Sequence, residues 1–587
     1  MDPVIRWLIH GVLLTVWALN VGASKWPEHI DVKDKASYDY IVVGAGSAGC
    51  IVANRLSEQK DVEVLAIEAG GDPPEDADLL SVFTNTHPMY WTYETEKDDK
   101  VAQYYKEKHY ILKSGKVIGG SSTINYLVNV RGVPRDYEVL VNATGDDSWS
   151  WKNILPYFIK SENLQDDEIL NSRNGRFHGK NGEMIVTIDR RNITHKYFEA
   201  FQELGHNVVD DINGEQSVAF APNMMWVSKG KRQDTAEAFL LPIKKRPNFN
   251  IMKTTLVIKI IFDENKNAVG IQCIKPDGSV IDIYARKEII ISAGVYNTPK
   301  LLMLSGVGPR DHLESLDIPV VANLPVGKTL RDHLTVMVTM KGEAATETFI
   351  RDKSRFPVPT FIGLGAINKS QDYQDYHSHN LIFRNHPIGL QILCSSVFNF
   401  KQSICDELAS AGVGREIVFS VFAANHLLSH GKIELRSKNP EDPVKIYTGF
   451  LSNQSDLDHY VKCIQDFTNV VNSSYFKKVG GEVLHFTLPN CEHLEKNSAE
   501  YWKCYILDLM NTHYLPCCTA PMGTVLDSKL RVRGVNRLRV VDASVLPNLI
   551  GGSIGATVLM IAEKASDLIK QDMYIDRNNT ENYNTFT

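Results

Sequence analysis

YDYIVVGAGSAGCIVANRLSEQKDVEVLAIEAGGDPP, residues 38–74, decides how the rest of the chain is read. Tyr38 to Val43 is a short apolar, β-branched run and predicts a strand. Gly44, Gly46 and Gly49 follow at once, with Ser47 and Ala48 between the last two. An Ala/Val/Leu-rich segment through Leu56 predicts a helix. Glu63 to Ile67 predicts a second strand, closed by Glu68 and Ala69. Each residue type has a physical task. Gly44 permits the tight turn, Gly46 lets the backbone approach a pyrophosphate, and Gly49 lets helix and strand pack closely. The helix N-terminus offers unpaired N–H groups and a partial positive charge to the phosphates. Glu68, about twenty residues on, can accept hydrogen bonds from ribose hydroxyls. Strand, glycine turn, helix, strand and acid in this order predict a dinucleotide site, without saying which dinucleotide.

The whole chain sets the frame for that site. Its 587 residues are 43% hydrophobic and 23% charged, enough apolar material for a large core of several domains. A net charge of -7 gives no reason to expect nucleic acid. The N-terminus carries Arg6, an apolar run from Trp7 to Leu19, and small residues Val21 and Ala23. This predicts a secretory signal peptide over residues 1–23 rather than a membrane span. No later segment has eighteen apolar residues in a row, so no membrane span is expected after cleavage. Secretion gives meaning to six glycan-acceptor triplets, at Asn142, Asn192, Asn368, Asn453, Asn472 and Asn578. It also permits disulfides among nine cysteines, with at least one left over. Cys491 and Cys504 are the expected pair, and Cys50 is expected to be a buried thiol. No histidine or cysteine cluster has metal spacing along the chain, so no metal is expected.

Further stretches carry a family resemblance. GKVIGGSSTINYLVNVRG (115–132) and GVYNTPKLLMLSGVGP (294–309) resemble the two signatures of the glucose-methanol-choline (GMC) oxidoreductases. LPVGKTLRDHL (324–334), HGKIELRSKNPEDP (430–443) and LRVVDASVLPN (538–548) resemble further blocks in the same order, and the overall look is of the family's secreted insect branch. The resemblance implies FAD as the cofactor and a mixed α/β and α+β fold. A discontinuous Rossmann-type FAD domain (36–140, 220–335 and 520–572) would carry a substrate domain on an antiparallel sheet (141–219 and 336–519). A polar, disordered tail is expected over 573–587. By motif position, Gly119, Gly120, Ser121, Ser122 and Asn125 would line the pyrophosphate and flavin side. Val257 would meet the adenine. Ala293 and Gly294 close a predicted strand, and Asp542 and Ala543 would meet the phosphate and ribityl region.

The same resemblance exposes a gap. Family members oxidise an alcohol while a histidine near neutral pKa removes the hydroxyl proton. In the register set by Thr519, Met522 and Gly523, that histidine position holds Leu515, and the second catalytic position, histidine or asparagine, holds Ser553. Gly555, Tyr126, Asn129 and Val295 are further departures. Leucine cannot accept a proton, and serine is a poor base without an activating neighbour. A local slip of two residues would bring His513 to the flavin, and His513 with Ser553 is the candidate catalytic pair. Cys517 and Cys518 are expected near the same loop, as thiols, and His333 as a support between domains. Two readings follow: an extracellular FAD-dependent oxidoreductase acting on a small alcohol, sugar or steroid, or a catalytically silent FAD-binding protein that uses the pocket to bind a ligand.

Overall fold

A computed structural model describes residues 25–78, 89–98, 105, 109–349, 352 and 354–584. The signal-peptide expectation falls on residues outside these.

The dinucleotide motif folds as a βαβ unit. β1 (Ser37–Val43) and β2 (Val64–Ile67) are parallel neighbours joined by α1 (Ser47–Ser57). Four more strands complete the path: β3 (Phe249–Met252), β4 (Leu256–Phe262), β5 (Ala268–Ile274) and β6 (Val280–Ile291). The order is β3-β2-β1-β6-β5-β4, and the short strand Leu538–Val540 also pairs with β6. β3, β2, β1, β6 and that short strand run parallel, whereas β5 and β4 return antiparallel. β1 and β2 are apolar and almost wholly buried, as befits parallel strands covered on both faces. α1 is buried nearly all round, and its Arg55 pairs with Glu563 on the C-terminal helix (Gly555–Asn584). In open α/β sheets the carboxyl ends of parallel strands bound the ligand crevice. Here Gly44, Glu68, Thr254, Ser292 and Asp542, each just past a parallel strand, all line one cavity.

A second sheet stands on the other side of that cavity. Its long strands are β7 (Leu334–Ala344), β8 (Thr360–Gly365), β9 (Tyr376–Arg384) and β10 (Arg415–Ala424). The order runs Glu482–Val483, β7, β10, β9, β8, Phe220–Pro222, with Met510–Thr512 beside the start of β7, and every pairing is antiparallel. Side chains alternate across such a sheet. In β10, Phe422 packs on Tyr460 and Phe467 of the helix Gln454–Thr468, while Val421 points to the cavity.

The two halves are sewn together where residues 327–333 run beside 513–519. Gly327 N–H donates to the Thr519 carbonyl at 2.8 Å, Cys517 N–H to Arg331 O at 2.8 Å, and His513 N–H to His333 O at 3.0 Å. Cys518 N–H reaches back to Ala543 O at 3.2 Å, on the first half.

Several expectations change. Phe220–Pro222, at the border of the expected second FAD segment, pairs with β8 in the second sheet. The block around KIELRS supplies a separate two-stranded ladder, Lys432–Glu434 with Lys445–Tyr447. The polar tail after Met573 continues the C-terminal helix to Asn584, because extending a packed helix needs no new nucleus. Cys491–Cys504 is bonded as expected and Cys50 is a buried thiol. Cys394–Cys405 is a further disulfide, and Cys517–Cys518 is a disulfide between neighbours rather than two thiols.

Candidate functional site

One cavity of about 700 Å³ collects both ends of the chemistry. At its first end Gly44, Gly46, Ser47, Ala48, Glu68 and Ala69 form the wall, faced by Gly120, Ser121, Ser122 and Asn125. Gly44 has φ +97°, a region L side chains rarely adopt, and a Cβ on Gly49 would meet Gly44 O at 1.9 Å. Gly49 does not line the cavity; it lets α1 close on the turn. Gly119, with φ +87°, likewise starts the turn behind Gly120 rather than lining the wall. Gly46 differs. A Cβ there would meet only Gly120 Cα at 3.5 Å, ordinary contact, so its missing side chain leaves the space to something other than protein.

Glu68 is buried and accepts from Ala45 N–H at 2.9 Å and Gly70 N–H at 2.8 Å. Burial pushes its carboxyl up to about 7, against those two bonds. A carboxylate oriented by backbone donors at the end of β2 is the group a ribose hydroxyl needs. Val257 on β4, Ala293 and Gly294 after β6, and Asp542 and Ala543 also line the cavity. Asp542 spends its oxygens inside the protein, accepting from Gly294 N–H, Thr298 Oγ1 and Ser544 N–H. It thereby pins the helix Gly294–Leu304 to the loop after Leu538–Val540, and supports the wall as well as lining it. The glycine cradle, the oriented acid and the helix N-terminus of α1 fit a dinucleotide.

At the second end, His513, Leu515 and Ser553 line the same cavity. The strand Met510–Thr512 ends at His513, and the chain then turns through Tyr514, which has φ +56°. This turn sends His513 into the cavity beside Leu515. His513 is packed within a cluster of imidazoles. Its ring lies 5.1 Å from that of His377 (12° between planes), 5.0 Å from that of His379 and 6.1 Å from that of His333. His513 Nδ1 is 3.1 Å from His377 Nε2. His333, a support between the halves as expected, donates Nε2–H to Ile550 O at 2.9 Å.

Burial and the neighbouring rings hold the whole group neutral. His513 and His333 sit well below the usual histidine range, with burial the largest cause. His379 is pushed down to about 4 and His377 to about 3, again first by burial. A neutral imidazole has the lone pair that accepts a proton, while the burial that keeps it neutral also weakens it as a base.

The expected cofactor residues are therefore gathered around one cavity, Gly49 and Gly119 behind it and the rest lining it. His377 and His379 were missed. Their signal was HSH on an extended run: period two places both rings on one face of β9. The ligand nitrogens of His377, His379 and His513 lie within 4.8 Å of one another, a grouping that spacing along the chain conceals.

Comparison with known proteins agrees with this geometry. The GMC oxidoreductase family matches residues 38–335 with its N-terminal part and 428–562 with its C-terminal part. Ecdysone oxidase of Spodoptera littoralis is 34% identical over 575 residues, 94% of each chain. Glucose dehydrogenase (FAD, quinone) of Drosophila melanogaster is 31% identical over 567 residues, covering 91% of this chain and 87% of that one. Pyridoxine 4-oxidase from Mesorbium loti superposes with a TM-score of 0.76 at 25% identity, over 90% of this chain and 98% of that one. A cradle shaped for a dinucleotide, on a fold shared along nearly the full length with flavoenzymes, identifies the cofactor as FAD, and the chain belongs to the GMC oxidoreductase family as an FAD-dependent oxidoreductase.

Proposed function

We propose that the protein oxidises a CH–OH group of a bulky, largely apolar alcohol, a steroid in preference to a sugar, with His513 as the base. The observation that carries this is the place of His513: neutral, in the cavity, beside the leucine that stands where the family keeps its histidine. Bound FAD supplies the acceptor for the hydride. His513 Nε2, which has no protein partner among the described residues, takes the hydroxyl proton, and Ser553 holds the substrate oxygen by a hydrogen bond. The substrate side of the cavity supports the apolar class. Met225, Phe356, Leu381, Leu393, Val397 and Phe398 line it. The similarity to an ecdysone oxidase points the same way. Three disulfides favour an oxidising, extracellular location.

The test is anaerobic bleaching of the flavin bands by an ecdysteroid, glucose and choline in turn. The ecdysteroid should bleach them, and His513→Ala should slow that step about 10²–10⁴-fold. Bands that bleach with dithionite but with no alcohol would replace this proposal with the silent FAD-binding reading, which Leu515 favours.

A further inference from the structure

We propose that Asn425 and His377 fix the tautomer of His513 so that its Nε2 presents a bare lone pair to the substrate hydroxyl; the inference rests on His513 being the base. The argument is a count of protons along a buried chain. Asn425 Oδ1 lies 2.8 Å from His377 Nδ1. In this orientation of the Asn425 amide, which leaves its Nδ2 buried and unpartnered, the oxygen facing His377 only accepts, so His377 Nδ1 carries the proton. A neutral imidazole has one N–H, which leaves His377 Nε2 an acceptor. That atom lies 3.1 Å from His513 Nδ1, which must then be the donor. The remaining nitrogen of His513, Nε2, is left unprotonated on a ring that lines the cavity. His377 is fully buried and Asn425 is 2% exposed, so water does not compete for these bonds.

The backbone sets the spacing. His377 of β9 is in register with Ala423 of β10, Ala423 with Thr335 of β7, and Thr335 with Asn511, two residues before His513. Asn425 follows the end of β10, tied by its N–H to Asp375 O at 2.7 Å. When the substrate hydroxyl is oxidised its proton moves to His513 Nε2, while Nδ1–H keeps donating to His377. The positive charge so formed is held by that bond, and the proton leaves to solvent with the product. His377 and Asn425 never touch substrate; they are positioning residues.

The experiment uses the full, FAD-loaded chain and the alcohol that bleaches it, and measures the limiting rate of flavin reduction and the substrate dissociation constant separately. His377→Leu removes the acceptor and should lower the rate about 10²-fold or more with little change in binding. His377→Gln offers an amide oxygen to His513 Nδ1 and should recover at least tenfold of that loss. The proposal is overturned if His377→Leu reduces flavin at the unmodified rate while His513→Ala is slow. If His377→Leu fails to hold FAD, the Gln variant decides alone: a rate as low as that of His513→Ala overturns the proposal. Fast reduction by His513→Ala removes the base reading itself. A stoichiometric transition metal, found by elemental analysis of the FAD-loaded protein, would also overturn the relay, since an ion there would occupy the lone pairs it needs.

Discussion

Asp332 holds the backbone of Leu515: its Oδ1 accepts the Leu515 N–H at 3.0 Å, and its other oxygen takes the hydroxyl of Thr512. The turn that aims His513 is thus clamped on both sides by one buried carboxylate. Burial pushes that carboxyl up to about 7.

Asp332→Ala should leave two donors unsatisfied and lower stability by about 1–3 kcal/mol. Misplacing His513 by a fraction of its reach should slow flavin reduction about 10²-fold while flavin content stays normal. Asp332→Asn keeps the acceptor for Leu515. The ordinary Asp332 carboxyl is raised on folding, so its ionisation costs stability as pH rises from about 4 through 7. The Asn variant should gain in melting temperature relative to the unmodified chain over that window. A constant difference would contradict the burial argument.

Gly46→Ala separates cofactor binding from folding. Its Cβ meets only Gly120 Cα at 3.5 Å, so the protein should fold and melt close to normal. The pyrophosphate should nevertheless be displaced, and the purified variant should show little flavin absorbance and little thermal response to added FAD. Gly49→Ala is the contrast. A Cβ at 1.9 Å from a backbone oxygen should prevent stable folding, read as loss of soluble protein.

His379 supplies a test in pH. Burial first, and the neighbouring His333 next, lower its pKa to about 4; the rings of His377 and His513 face it as well. A histidine that stays neutral in the fold protonates first when unfolded. Its contribution is intact above about 6.5 and is lost as pH falls towards 4, by at most about 1.4 kcal/mol per pH unit. The stability of the unmodified chain relative to His379→Gln should therefore decline through that window. Parallel curves would mean His379 titrates normally in the fold.

The Cys394–Cys405 bond closes a short loop next to Leu393 and Val397, which line the cavity. Replacing both cysteines by serine should cost about 3 kcal/mol by loop entropy. The loss should appear first as weaker substrate binding, measured by titration of the flavin spectrum, with FAD retained.

Legibility followed distance along the chain. The cradle around Gly44 and Glu68 was open to reading because strand, turn, helix and acid are neighbours in sequence, and each residue type has one steric task. The site around His513 was only half open. In the family register Leu515 pointed to a missing base, but the turn through Tyr514 and the clamp by Asp332 depend on a partner some 180 residues away. His377 and His379 carried a strand-like alternation that any half-buried strand could share. Only the pairing of β9 with β10, and of β10 with β7, brings them to His513.

The seam between residues 327–333 and 513–519 bears on how such a protein diversifies. It ties the two halves by main-chain bonds, which do not depend on which side chains are present. Cavity side chains outside the Asn425–His377–His513 chain, such as Leu381, Val421 and the Leu393–Phe398 rim, can therefore drift without loosening the cofactor. A lineage can retune which molecules it accepts by point changes on one sheet while its redox engine is inherited whole.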